Sequence, residues 1–130
     1  AGLDFETKLY AKTDAAALLR NELSARGYRP RTLALGAITD PYQPIERERR
    51  ITRAIIEVLS EAMHPVGIVT KSALITRDID LLQPMAESGI AKAAISITTL
   101  DATLARAMEP RAATPARRLW AIEKLASAGI

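Results

Sequence analysis

The chain has 130 residues, 48% of them apolar and 25% charged, the balance of a single globular domain rather than of a disordered or two-domain protein. It has no cysteine and one histidine, His64, which excludes disulfides, thiol nucleophiles, thiolate-held clusters and multi-histidine metal sites on this chain. A net charge of +3, from 18 bases and 15 acids without a block of like charge, does not by itself demand nucleic acid. No run approaches the ~20 apolar residues of a membrane helix, and Ala1 to Thr7 lack the apolar stretch of a secretory signal.

The chain reads as alternating strand and helix. Lys8-Leu9-Tyr10-Ala11-Lys12 alternates and predicts a short strand. Asp14 caps a helix that carries Leu18, Leu19 and Leu23 and stops at Gly27. Residues 32–38 (TLALGAI) predict a buried strand, followed by the turn-rich Thr39-Asp40-Pro41-Tyr42-Gln43-Pro44. A helix is expected over residues 45–63, with Ile51, Ile55, Val58, Leu59 and Ala62 on one stripe, and Pro65 ends it. Residues 66–70 (VGIVT) predict a strand. Residues 78–88 predict a helix with a kink or late start at Pro84 and a stop at Gly89. Residues 93–98 (AAISIT) predict a further strand, and residues 101–108 a short helix. Thr114-Pro115 starts the last helix, expected to bury Leu119, Ile122, Leu125 and Ala126.

This alternation implies an α/β fold, a partial (β/α) barrel of about four parallel strands joined by right-handed crossovers. The whole chain, residues 1–130, reads as a single domain that is an internal piece of a larger barrel. Ligands of parallel α/β folds bind at the carboxyl ends of the strands. Here those ends carry Lys12 and Thr13, then Thr39 and Asp40, then Lys71 and Ser72, then Ser96, Thr98 and Thr99. A lysine among hydroxyls suits a carboxylate or phosphate, the ammonium supplying charge and the hydroxyls adaptable donors.

Each feature also has a plainer reading. Thr39-Asp40-Pro41 is ordinary turn chemistry, Lys71 a solvated strand end, and the Ser/Thr set common strand and cap residues. His64 reads as a helix-end residue and Trp120 as cover for a helix–sheet seam. Arg47, Arg49, Arg50 and Arg53 with Glu46, Glu48 and Glu57 read as a salt-bridged solvent face. Recurrence at successive strand ends lifts the polar set above its parts. Gly36 stands alone, so neither a G-x-G-x-x-G loop nor a P-loop is present.

An ordered set of short words carries a family resemblance: Gly2-Leu3-Asp4-Phe5-Glu6-Thr7 leading to Lys12-Thr13, then Thr39-Asp40-Pro41-Tyr42-Gln43-Pro44-Ile45-Glu46. Ile68-Val69-Thr70-Lys71-Ser72, Ile95-Ser96-Ile97-Thr98-Thr99, Glu109-Pro110-Arg111 and Arg117-Arg118-Leu119 complete it. Across nearly the whole chain this order resembles the radical S-adenosylmethionine (SAM) enzymes, in the spore photoproduct lyase-like, or DNA repair photolyase-like, branch. The resemblance implies a radical SAM-type barrel of which this chain is about half. It implies SAM and a 4Fe–4S cluster held by a C-x₃-C-x₂-C loop in the parent protein. Cleavage of SAM to a 5′-deoxyadenosyl radical follows, with DNA photoproducts as a substrate by analogy. It further implies that Thr39, Lys71 and Ser96, with Asp40 and Thr98 beside them, hold the methionine part of SAM.

The cluster cysteines are missing, so this chain alone is expected to bind no cluster and to be inactive, with no catalytic residue and no metal site of its own. The expected partners are SAM and, through the parent protein, DNA, with no membrane. Open strand edges invite self-association, and the expected location is the cytoplasm. A reading from a different class stays open: a non-catalytic α/β domain that binds a small anion at the strand ends. Standalone nucleic-acid binding is disfavoured by only five aromatic residues.

Overall fold

The computed structural model describes residues 10–130. Three short parallel strands, β1 (Leu33–Leu35), β2 (Val66–Thr70) and β3 (Ala91–Ile95), form a sheet in that order. Leu33 pairs with Val66 and Leu35 with Ile68, while Val66 pairs with Ala91 and Thr70 with Ile95. The helix α1 (Ala15–Leu23) precedes β1, α2 (Glu46–Arg49) and α3 (Ile51–Glu61) connect β1 to β2, and a 3₁₀ helix (Ala73–Asp78) and α4 (Ile79–Glu87) connect β2 to β3. Then α5 (Ala102–Met108) and α6 (Pro115–Ser127) follow β3.

The residues of β2 alternate, Val66, Ile68 and Thr70 being buried while Val69 is 46% exposed. The buried side meets Ile56 and Leu59 of α3, Leu82 and Met85 of α4, Ile75 and Leu125 in one core. The opposite side of the sheet carries Ala34, Gly67, Val69, Lys92 and Ala94, all exposed except the half-buried Gly67. Helices on one face of a parallel sheet and an open second face are the layering of a partial (β/α) barrel.

Several expectations need correction. The sheet has three strands, not about four, among the described residues. Residues 10–12 form no strand, with Tyr10 95% exposed and Thr13 turned back onto Ala11, while Lys8 and Leu9 lie outside the described residues. The strand expected over 32–38 ends at Leu35, because Gly36 takes φ +94 and turns the chain. The strand expected over 93–98 begins and ends earlier, leaving Ser96 just past β3.

The single helix expected over 45–63 is two, broken at Arg50, which adopts φ +50. Glu46 explains the break. Its carboxylate accepts the N–H groups of Thr52 (2.9 Å) and Arg53 (3.2 Å), capping α3 from within the preceding turn. The 45–57 stretch is therefore only partly a solvent face: Arg47, Glu48, Arg49 and Arg50 are exposed, but Glu46 is buried and Arg53 reaches inward.

Asp101 and Thr114 do cap α5 and α6 through their side chains, and Pro115 opens α6. The buried face of α6 is nevertheless Pro115, Arg118, Ala121 and Leu125, whereas Leu119 and Ile122 are 48% and 40% exposed. Trp120 is half-buried, and the guanidinium of Arg117 lies 4.0 Å over its ring. His64 is buried, its ring bonded to the Pro65 carbonyl (3.0 Å) and the Tyr28 hydroxyl (2.7 Å).

Candidate functional site

The carboxyl ends of β1, β2 and β3 open into one cleft of about 270 Å³, lined by Gly36, Thr39, Asp40, Thr70, Lys71 and Ser96 among others. That is close to the lower end of small-molecule sites, about 300–1,000 Å³, and suits a ligand the size of an amino acid. Four of the residues expected at the strand ends, Thr39, Asp40, Lys71 and Ser96, thus meet around one space. Thr98 lies outside that lining, and Lys12 and Thr13 do not reach it.

Asp40 is the fastener of the cleft. One carboxylate oxygen accepts the Tyr42 N–H (2.9 Å) and the Thr70 hydroxyl (2.6 Å), and the other accepts the Lys71 N–H (2.7 Å). The loop after β1 is thereby tied to the last residues of β2, thirty positions on. Thr70 in turn accepts from the Ser72 N–H at 3.0 Å, and Ser72 caps the 3₁₀ helix. Gly36 allows this approach, since a Cβ there would stand 1.9 Å from the Val69 carbonyl oxygen.

Lys71 donates from Nζ to Glu109 Oε1. Glu109 also accepts the Thr98 hydroxyl (3.2 Å) on Oε1 and Arg118 Nη2 (2.6 Å) on Oε2. Arg118 is 2% exposed. Two further donors of its guanidinium go to the Ser96 carbonyl (2.8 Å) and the Ala113 carbonyl (2.7 Å). The hydrogen bonds from Lys71 and Arg118 hold the Glu109 carboxyl down at about 2. The hydroxyls of Thr39 and Ser96 make no hydrogen bond with the described residues, so both stand available to a ligand.

A second polar cluster stands behind the loop. Tyr42 donates to Asp78 (3.0 Å), and Asp78, fully buried, is paired with Arg53 (3.0 Å) and Arg77 (2.8 Å). Arg77 also holds Glu46 (2.9 Å). Burial, and then the Asp78 charge, push the Tyr42 hydroxyl far above the ordinary phenol range, so it serves as a fixed donor. This cluster anchors residues 40–46 and the 3₁₀ helix, the two segments that follow β1 and β2.

Sequence reasoning missed the roles of Glu109 and Arg118, although both lie in the short words that carry the family resemblance. The available signal was a charge at position 118 in register with Ala121 and Leu125, on a face otherwise apolar. Among the described residues no group of three His, Asp or Glu side chains could hold a metal. No described helix is long and apolar enough to cross a membrane.

The chain is similar to proteins of uncharacterised function in several organisms. Relatives in Mycobacterium tuberculosis and Mycobacterium bovis are 37% identical over 129 residues, 99% of this chain and 38% of each relative. A relative in Methanocaldococcus jannaschii is 27% identical over 96 residues, 74% of this chain and 36% of the relative. A protein of Acidianus two-tailed virus is 31% identical over 103 residues, 79% of this chain and 33% of its own length. The chain therefore spans a little over a third of the length of its mycobacterial relatives. No solved structure matches it. The sequence pattern of the radical SAM superfamily matches residues 8–130, nearly the whole chain, and so the chain belongs to the radical SAM superfamily.

Proposed function

We propose that the cleft at the strand ends binds the methionine end of SAM and that the parent protein is a radical SAM enzyme. One observation carries this reading: a lysine and two unengaged hydroxyls, Lys71, Thr39 and Ser96, line one cleft across three adjacent parallel strands. The donor set fits an amino-acid carboxylate, with Lys71 supplying charge and Thr39 and Ser96 supplying hydroxyl donors. Asp40 holds the backbone of Lys71, and Thr98 acts through Glu109. Bound SAM is the source of the hydrogen-abstracting chemistry of this superfamily. A 4Fe–4S cluster does not fit the residues present, since the chain has no cysteine to ligate it.

Within the superfamily we place the parent in the spore photoproduct lyase-like branch, on the strength of the ordered words around Thr39-Asp40-Pro41 and Lys71-Ser72. DNA photoproducts are its proposed substrate, by analogy of branch alone. The outer edges of β1 and β3 are unpaired among the described residues; they support self-association, read as mass rising with concentration in light scattering. We assign the parent to the cytoplasm, where reducing conditions protect the chemistry implied.

The test is titration of the chain with SAM, followed by equilibrium dialysis. Lys71→Ala is expected to weaken binding by about tenfold or more, the worth of one charged hydrogen bond. Thr39→Ala and Ser96→Ala are expected to weaken it less. Absence of SAM binding to the unaltered chain sinks the reading. The anion-domain alternative, supported by the same lysine, predicts instead that sulfate displaces SAM at comparable concentration.

A further inference from the structure

We propose that the loop between α1 and β1 is a docking surface for the phosphate backbone of a nucleic-acid duplex, through Arg26, Arg29 and Arg31. The loop lies at the amino ends of the strands, the opposite end of the sheet from the cleft. The inference therefore stands apart from the SAM reading and goes beyond it.

The loop concentrates the charge of the whole chain. Arg26, Arg29 and Arg31 are all exposed, and among the described residues none of their side chains has an ion pair or hydrogen bond. Without these three the chain carries as many acids as bases, so they equal its entire net charge of +3. The acids that flank them in sequence do not neutralise them. Glu22 makes no ion pair among the described residues, and Asp40 is committed at the other end of the sheet. Glu61, brought against α1, is taken by Arg20.

The loop has a fixed shape. The Tyr28 N–H donates to the Ala25 carbonyl (3.1 Å), closing a turn around Gly27, whose φ of +87 favours glycine. The Tyr28 hydroxyl meets Nε2 of the buried His64 (2.7 Å), and the Leu33 N–H donates to the Pro65 carbonyl (2.9 Å). The loop is thus pinned at both ends to the start of β2. Between the pins, Pro30 favours extended backbone at Arg29. Arginines on a preformed loop lose less freedom on binding than arginines on a floppy one.

The chemistry of the loop selects the partner. A guanidinium pairs with phosphate oxygens through two parallel N–H donors, and all three bases are arginine rather than lysine. Single-stranded nucleic acid needs aromatic faces on which its bases stack. The one aromatic residue of the loop, Tyr28, is half-buried with its hydroxyl turned to His64. A membrane surface needs apolar side chains to insert beside the charges, and residues 24–32 expose no large apolar side chain. A duplex presents a row of phosphates and needs neither.

Fluorescence anisotropy of a labelled DNA duplex of mixed sequence, titrated with the chain over a range of salt, tests this. Three phosphate contacts give an expected slope of about −2.7 in log K against log salt, an affinity loss of about fortyfold between about 50 and 200 mM. Arg26→Gln, Arg29→Gln and Arg31→Gln are each expected to reduce the slope by about 0.9, and the triple variant to lose most binding. The three side chains hold no partner among the described residues, so these variants are expected to keep the melting temperature. Arg47→Gln combined with Arg49→Gln, exposed on α2 at the cleft end, is expected to leave the slope unchanged. No binding at the lower salt overturns the inference, and so does a slope near zero or a control pair as damaging as the loop variants. Phosphatidylserine vesicles are the rival surface. If they take the chain at a lower phosphate concentration than the duplex does, the inference is overturned as well. Either outcome leaves the SAM reading where it stands.

Discussion

Gly36 and Val69 pass so closely that a Cβ on Gly36 would stand 1.9 Å from the Val69 carbonyl oxygen and 3.2 Å from Cδ of Pro41. The backbone there also takes φ +94, a region that costs an L residue energy in any surroundings. Gly36→Ala therefore combines conformational strain with a backbone clash. We expect a loss of about 2–5 kcal/mol in stability, seen as a lower urea midpoint at unchanged slope. A variant within about 0.5 kcal/mol of the unaltered chain would show that β1 and β2 can separate at no cost.

Asp40 is a structural carboxylate first, with both oxygens committed to Tyr42, Thr70 and Lys71. Removing it strands the Tyr42 N–H, the hydroxyl of Thr70, a residue only 2% exposed, and the Lys71 N–H. Asp40→Ala is expected to cost about 2–4 kcal/mol, from three donors left without partners. Asp40→Asn keeps one acceptor oxygen and should cost about half as much. Thermal unfolding of the two variants side by side tests the order. Asn as costly as Ala would mean that charge, not hydrogen-bond geometry, holds the loop.

The sequence shows some of this arrangement and hides the rest for physical reasons. The strand at Val66–Thr70 is legible because a β-branched run bounded by Pro65 and Lys71 has few alternatives. The strand-end residues are legible because topology alone brings Thr39, Lys71 and Ser96 together. The break at Arg50 is not legible, since it depends on Glu46 folding back to cap the helix that follows. The face of α6 is misread for a related reason. Leu119 and Ile122 look like core residues, yet the buried position goes to Arg118, whose partners Glu109, Ser96 and Ala113 come from other parts of the chain. Propensity and periodicity describe neighbours in sequence, and these contacts are between strangers.

Lys71 and Arg118 grip the same carboxylate from opposite environments, and the two should separate binding from folding. Lys71 is 43% exposed, so Lys71→Ala should cost under about 1 kcal/mol of stability while abolishing most ligand binding. Arg118 is 2% exposed, and Arg118→Ala leaves Glu109 half-paired and two carbonyls without donors. The expected cost is about 3–5 kcal/mol, the range for a broken buried pair. Chemical denaturation gives both numbers, and a Lys71→Ala variant as unstable as Arg118→Ala would assign Lys71 to the scaffold.

The same network makes stability depend on acid. The Glu109 carboxyl is lowered from 4.5 to about 2, chiefly by the hydrogen bonds from Lys71 and Arg118. Because its folded value lies below its unfolded one, the stabilisation is complete above about pH 5 and is lost as pH falls from about 4.5 through about 2. The full shift corresponds to about 3 kcal/mol, and partial exposure of the side chain trims this to about 2 kcal/mol. Asp80 and Glu61 are also lowered, by hydrogen bonds from Arg53 and Arg20, but both are over half exposed and supply only a screened background. Glu109→Gln leaves that background in place, so the difference in unfolding free energy between the two chains isolates Glu109. That difference should be constant from pH 7 to about 5 and shrink steadily below about 4.5, towards zero near pH 2. A difference that holds its value down to pH 3 would mean that Glu109 gains nothing from its charge, and that Lys71 and Arg118 hold it only as a neutral acceptor.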